Sequence, residues 1–592
     1  SVTFEVNIAS KPEGLLIATK SEEHTQEGPI IWDTQFTNSS SEAIKLDSIE
    51  AKLVLKSPLT KGMSYMTGSH IMASEVVDPL FMQRYKVGEE SGKTASLMYL
   101  LVAVDEQDYR LFGLLSWDAF ICELSIQNGE FQIKSDGEQR PLKPGESMPF
   151  ESVVYLQSDD WQDLLIQYAD LLAEKHNLNV PDKDWVGWGT WDYYTRYFSF
   201  QDIVDNVKGA KELNKTLENK IELIQVDGSW WVERGDYYET NERFPEMGDV
   251  MDYIRDSGFV AGMHFDGFRA SAKAKIVAQH PEYFVDHAQN AQQGIVFFDY
   301  SHPGTRAYIR DVIVNARENW GVEYFKVDFM TQGMLPKGKT HLPVTRLERF
   351  KMGLATMREA MGDTYFLACN ALFGSVLGYV EACRTSKDIK PQYPETLRNV
   401  TQNASAWFMH NRLFKNDVDY HIIRSREDED DTISKSLGKH STLNYHQNEL
   451  WNHFVVIAGG LRINSDKLPT LTEPKAQLLQ RAFDSPFFET CIPIDFWDSF
   501  QTPQDAPRLY LAHSQTGEKV LALFNWEPEK TTLQIKGLAK GARLIDQASG
   551  ATLYLPEGDA TVRLPAYHSK LFEYEGSMSF DELRRSLRLD SR

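Results

Sequence analysis

The sequence predicts a multidomain protein in which a central (β/α)8 TIM barrel lies between an N-terminal antiparallel β-sandwich and a small C-terminal β-sandwich. Three observations lead there. The chain has 592 residues, which is too many for one hydrophobic core, so about two to four domains are expected. Between residues 181 and 475, short apolar runs that end in a polar residue take turns with amphipathic segments, as a barrel of parallel strands and covering helices requires. Before and after that stretch the dominant period is two, the mark of half-buried strands.

Taken in order, residues 1–155 form the first sandwich. Alternation is clear at 4–8, 44–49, 51–55 and 96–104, and Gln127-Asn-Gly129 reads as a hairpin turn. Residues 156–180 form a linker helix, with apolar side chains at helical spacing after Asp159 and Asp160, either of which can cap it. Within the barrel, 181–475, strand candidates are Ile221-Glu-Leu-Ile-Gln-Val-Asp227, Gly258-Phe-Val-Ala-Gly-Met-His264, Val322-Glu-Tyr-Phe-Lys-Val-Asp328, Tyr365-Phe-Leu-Ala-Cys-Asn370 and Tyr379-Val-Glu-Ala-Cys-Arg384. Helices are expected at 200–213, 247–257, 303–319 and 347–361. The second sandwich occupies 476–575, entered by a helix at 476–483, with strands at 509–512, 519–525, 532–535 and 568–574. Residues 576–592 read as a polar, basic tail with a short helix. The run Glu427-Asp-Glu-Asp-Asp431 reads as a solvated loop.

Composition narrows the function. Hydrophobic residues make up 42% and charged residues 25%, as in ordinary globular proteins. A net charge of −23 without clustered Lys and Arg argues against a nucleic-acid partner. No apolar stretch approaches the ~18 residues of a membrane span. The four cysteines, Cys122, Cys369, Cys383 and Cys491, lack metal-ligand spacing. The chain begins at Ser1 in strand-like alternation, so any signal peptide is expected to be removed or never present.

In a TIM barrel the C-terminal strand ends form the active site. That logic gathers Asp227, His264, Asp328, Asn370, Arg384 and Asp388 around one bowl. Two carboxylates facing each other there are the minimum equipment for glycoside hydrolysis: one attacks the anomeric carbon, the other protonates the leaving oxygen and then activates water. Lys326 lies two residues before Asp328 on the same strand face, where it would favour the ionised form of a nucleophile. Asp388 follows a strand end, placed as the general acid/base. His264 reads equally as a core histidine or a substrate contact. Asp227, Asp299 and Asp328 could instead ligate a metal, although no metal or other cofactor is expected.

The order of motifs through the barrel resembles glycoside hydrolase family 36, the α-galactosidase clan shared with family 27. Val186-Gly-Trp-Gly-Thr-Trp-Asp-Tyr-Tyr194 is similar to the family's first strand, Ile224-Gln-Val-Asp227 to its second, Tyr324-Phe-Lys-Val-Asp-Phe329 to its nucleophile strand and Leu367-Ala-Cys-Asn370 to its fifth. Arg384 to Asp388 fits the R-x-x-x-D acid/base loop, Phe414-Lys-Asn-Asp-Val-Asp419 the N-D-P-D turn, and Ala458-Gly-Gly-Leu-Arg-Ile-Asn-Ser-Asp466 the last strand. The resemblance implies a retaining, exo-acting α-glycosidase with Asp328 as nucleophile and Asp388 as acid/base. It implies that Asp227 binds sugar hydroxyls, Lys326 and Arg384 contact the ring, and Cys369 lies beside it. Trp188 and Trp191 would line the pocket or pack in the core.

Three departures bear on the sugar. The family's second strand usually carries two adjacent aspartates that grip the 4- and 6-hydroxyls of galactose; here the second is Gly228. The third strand usually ends in tryptophan; here it ends in His264. Val418 stands where proline is usual. Space at Gly228 together with His264 would favour N-acetylgalactosamine, a sulfated or deoxy hexose, or arabinopyranose. A raffinose-synthase-like transglycosylase uses the same carboxylate pair. A metal-dependent lyase or isomerase and a catalytically inert sugar-binding protein are the other classes. The partner expected is carbohydrate, with no membrane association. The barrel relatives are often oligomeric, which implies a homo-oligomer. Sequons at Asn38, Asn214, Asn399 and Asn403 favour a secreted or periplasmic location over a cytoplasmic one.

Overall fold

Eight short strands, each of them buried almost throughout, make the centre of the molecule: β1 (Trp185–Gly189), β2 (Leu223–Val226), β3 (Val260–Phe265), β4 (Tyr324–Val327), β5 (Tyr365–Ala368), β6 (Ala382–Arg384), β7 (Lys415–Asp417) and β8 (Leu461–Asn464). The structure is a computed structural model and describes residues 2–23, 25–68, 83–89, 95–428 and 441–590. Residues 429–431 of the acidic run lie outside the described residues.

The strands pair in parallel in the order β7-β6-β5-β4-β3-β2-β1-β8. Their continuous apolar character follows from that arrangement, since a parallel sheet is covered on both faces. Just beyond the end of β7 the ring is drawn together: His421 forms a parallel bridge with Asn464, and the Gly460 amide donates to the Asn416 carbonyl at 3.0 Å. Covering helices start where the sequence places caps. Phe200–Asn214 begins with a capping box of Ser199 and Asp202, and Arg346–Met361 with one of Thr345 and Glu348. In each, two N-terminal donors that the helix itself cannot pair are satisfied.

The N-terminal region stacks a four-stranded antiparallel sheet, built on Thr3–Ile8, Ile49–Val54, Glu130–Ser135 and Cys122–Gln127, against a larger antiparallel sheet. Alternate side chains of Thr3–Ile8 are exposed and buried, as the period-two pattern requires. Asn128 and Gly129 both take positive φ, 52° and 75°, which is the two-residue turn that matches strand twist. The linker helix is Trp161–Lys175, capped by Asp160, whose carboxylate accepts from the Gln162 amide at 2.9 Å.

The C-terminal region holds a six-stranded and a three-stranded antiparallel sheet. The short helix expected in the tail is present, and the structure adds a strand that was not expected. Phe580–Ser586 is a helix with its own capping box, and Arg588–Asp590 pairs with Thr531–Lys536 as a sheet strand. Arg584 is buried and donates to Asp160 at 3.0 Å and Asp163 at 2.5 Å, so the last turn of chain is pinned to the linker helix. A three-residue strand and partners more than 400 residues away leave no local signature. All four cysteines are free and buried.

Candidate active site

The bowl at the C-terminal ends of the strands is lined by carboxylates. Asp192 follows β1, Asp227 follows β2, Asp266 follows β3, Asp417 ends β7 with Asp419 just beyond, and Asp466 follows β8; all six are buried. Asp328, which follows β4, is half-buried, and the Asp388 side chain, in the loop after β6, is 48% exposed.

Asp328 is oriented by its own strand end. Its Oδ1 accepts the Phe329 amide at 2.6 Å and the Asn370 side-chain amide at 2.7 Å. Both donors come from residues with left-handed backbones, Phe329 at φ 54° and Asn370 at φ 52°. A phenylalanine in that region is strained. Arg269 lies 3.6 Å from the centre of the Phe329 ring, a cation–π contact that helps hold the strained turn.

Lys326 does not serve Asp328 in the way its spacing suggests. Its ammonium pairs with Asp227 Oδ2 at 2.8 Å and lies 3.5 Å from the Tyr420 hydroxyl. Parallel neighbours on one face are close enough to compete, and the cross-barrel carboxylate wins because it is wholly buried and needs a counter-charge. Asp227 Oδ2 also accepts from Tyr420 at 3.0 Å and Gln225 at 3.2 Å, while Oδ1 accepts from the Gly228 amide at 2.8 Å. His264 Nδ1 lies 3.0 Å from the same Oδ1. A carboxylate has about four lone-pair positions, so Asp227 is saturated from within the protein. These contacts set it in the floor of the site.

His264 stands between two carboxylates, with Nε2 3.1 Å from Asp266 Oδ1. Burial alone would discharge the ring, but Asp227 and then Asp266 push its pKa up to about 10. The imidazolium in turn stabilises both acids. Burial works to raise the Asp227 carboxyl, yet Lys326 and His264 hold it well below the usual carboxylate range. The His264 ring also removes the room expected beside Gly228. A Cβ built there would lie 3.0 Å from His264 Nε2 and 3.1 Å from the Trp231 ring. Gly228 is therefore a close approach, not an open space.

Across the bowl, Arg384 is buried among three acids: Asp388 at 3.0 Å, Asp419 at 2.9 Å and Asp417 at 3.5 Å. Burial, only partly offset by Arg384 and reinforced by Asp388 and Asp417, pushes the Asp419 carboxyl up to about 7. Tyr420 joins the two sides, with Lys326 5.5 Å and Arg384 6.0 Å from its ring. Cys369 is buried between them; burial and then the charge of Asp328 push its thiol well up.

Trp188 is fully buried, with its Nε1 donating to the Asp466 carbonyl at 2.8 Å. It packs in the core. Trp191 is half-buried at the start of the short helix that follows β1. Asp299 is used locally: Ser301 Oγ donates to it at 2.6 Å and the His341 amide at 2.7 Å, so it does not join Asp227 and Asp328. Residues that sequence reasoning missed are Asp266, Arg234, Arg269 and Tyr420. Asp266 had a signal, since it follows His264 by two positions. The two arginines come from loops after β2 and β3 and had none.

No family model matches the sequence. Solved structures do match in three dimensions. An α-galactosidase from Thermus thermophilus in complex with p-nitrophenyl α-D-galactopyranoside shares 16% identity over 84% of this chain and 95% of its own, with a TM-score of 0.56. A family 36 α-galactosidase variant from Geobacillus stearothermophilus in complex with raffinose gives 15%, 97% and 87%, and a TM-score of 0.66. The α-galactosidase from Lactobacillus brevis gives 12%, 98% and 85%, and 0.64. At such low identity what is shared is architecture, and on that architecture the chain has the fold of the family 36 α-galactosidases.

Proposed function

We propose that the protein is a retaining, exo-acting α-glycoside hydrolase of α-galactosidase type, with Asp328 as nucleophile and Asp388 as general acid/base. The observation that carries this reading is the contrast among the strand-end carboxylates. Six are buried, whereas Asp328 and Asp388 are open to the bowl. They are the pair that solvent reaches, and glycoside hydrolysis needs two.

The chemistry then follows from the surroundings of each. Both hydrogen bonds to Asp328 fall on Oδ1, which leaves Oδ2 to attack the anomeric carbon and form a glycosyl ester. Asp388, steered by Arg384 at 3.0 Å, gives its proton to the departing oxygen. It then takes one from the water that cleaves the ester, so the anomeric configuration is kept. The two carboxylates supply every proton and covalent bond in this sequence, and no cofactor enters it. The solved neighbours include enzymes crystallised with galactosides, which makes a terminal α-galactoside the first substrate to try.

The test is hydrolysis of a panel of 4-nitrophenyl glycosides (α-galactoside, α-N-acetylgalactosaminide, α-glucoside and β-L-arabinopyranoside) by the protein, by Asp328→Asn and by Asp388→Ala. Product configuration is followed by NMR. Cleavage with retention that is lost in Asp328→Asn supports the proposal. Activity surviving in Asp328→Asn, or inversion, overturns it.

A further inference from the structure

The wall formed by β2, β3 and β4 carries more positive charge than its acids can balance. Lys326 pairs with Asp227, and His264 sits between Asp227 and Asp266. Arg234 and Arg269 then share a single oxygen, Asp266 Oδ2, at 2.5 and 3.6 Å. Four cations therefore share two carboxylates, with Asp328 the third acid of this wall. The opposite wall has the reverse imbalance, with Arg384 outnumbered by Asp388, Asp417 and Asp419.

The two surplus arginines differ. Arg269 is buried against Phe329 and feels the charge of Asp328, so the nucleophile answers for it. Arg234 remains. Its side chain is 30% exposed, and its guanidinium lies 5.9 Å from the Trp231 ring and 5.8 Å from the Phe329 ring, beside the nucleophile turn. Among the described residues Asp266 is its one ion partner, and that contact is made through the buried Nε, so the pairing falls on the inner edge of the guanidinium. Its neighbour Glu233 lines a cavity with Ser271 and Lys273. A guanidinium presents a planar fork that takes an oxyanion through two bonds.

We propose that Arg234 selects sugars bearing an anionic substituent, a sulfate ester or a carboxylate, in the bowl beside Asp328. This rests on the glycosidase reading for where the sugar sits, and it narrows that reading from neutral to acidic glycosides.

The test separates binding from turnover. Asp328→Asn, which cannot form the glycosyl ester, is titrated calorimetrically with galactose, galactose 6-sulfate and galacturonate. The same titrations are made with Asp328→Asn carrying Arg234→Gln or Arg234→Lys. The expected result is that one acid binds at least about tenfold tighter than galactose, the scale of a charge-assisted hydrogen bond. Arg234→Gln should abolish that preference and Arg234→Lys should keep part of it; which acid is preferred tells sulfate from carboxylate. Equal binding of all three sugars, or a preference that survives Arg234→Gln, overturns the proposal. The ratio in Asp328→Asn alone decides the matter if Arg234→Gln fails to fold. Tight acid binding without hydrolysis of the corresponding nitrophenyl glycosides by the unsubstituted protein would instead sink the glycosidase reading and leave the anion selectivity standing.

Discussion

Asn370 donates its side-chain amide to Asp328 Oδ1 at 2.7 Å, and does so from a left-handed backbone at φ 52°. Asparagine is among the few residues other than glycine that adopt this conformation readily, so position 370 asks for both its backbone tolerance and its donor. Asn370→Ala removes the donor and strains the turn. One hydrogen bond to a charged group contributes about 1.5–3 kcal/mol, so kcat should fall roughly ten- to a hundredfold. KM should change little if the bond aims the nucleophile. Steady-state kinetics on the best glycoside of the panel check this; a change confined to KM would assign Asn370 to sugar binding.

The His264 clamp makes stability depend on pH. The folded-state pKa of about 10 lies above the ordinary value of 6.5. Its contribution is therefore complete below about pH 6.5 and is lost as pH rises through 10. Thermal unfolding midpoints measured from pH 6 to 10.5 should fall across that window in the unsubstituted protein. The fall should be shallower in His264→Gln, which has no proton to lose there. Parallel curves for the two proteins would mean that the ring is neutral in the folded state.

How much of this was readable in the sequence depends on whether a feature is local. Strand ends, helix caps and the motif order are local, so the barrel and the positions of Asp328, Asn370, Arg384 and Asp388 were legible. The partner of Lys326 was not. Spacing put it beside Asp328, but its ion pair crosses to β2, where a fully buried carboxylate needed it more. Gly228 shows the same limit. An absent side chain reads as space, yet the His264 ring from β3, together with the Trp231 ring three residues on, had filled it.

Restoring an aspartate at Gly228 tests that packing. The new Cβ would meet His264 Nε2 at 3.0 Å and the Trp231 ring at 3.1 Å, and both neighbours are buried. Overpacking of this kind costs about 1–3 kcal/mol, so Gly228→Asp should lower the denaturation midpoint. Adding His264→Ala removes the nearer obstacle. The double variant should then be more stable than the two single effects predict, because residues in contact are not additive. Strict additivity in urea unfolding would show that the pair does not touch.

Arg584 offers a test far from the bowl. It is buried, and it reaches Asp160 at 3.0 Å and Asp163 at 2.5 Å on the linker helix, while Asp160 also caps that helix. Arg584→Ala leaves Asp160 without its cation and Asp163 with Arg585 alone, at 2.9 Å, and breaking a buried pair costs about 3–5 kcal/mol. Solvent reaches both aspartates, so roughly half of that is expected here. The consequence should be local first. The strand Arg588–Asp590 is held by one neighbour, Thr531–Lys536, and loses its anchor when the preceding helix lets go. Limited proteolysis should then cut Arg584→Ala between the six-stranded sheet and the C-terminus at protease concentrations that leave the unsubstituted protein intact, with glycosidase activity retained. If cleavage is unchanged, the helix is held by its capping box and apolar face, and the arginine contributes little to docking the end of the chain.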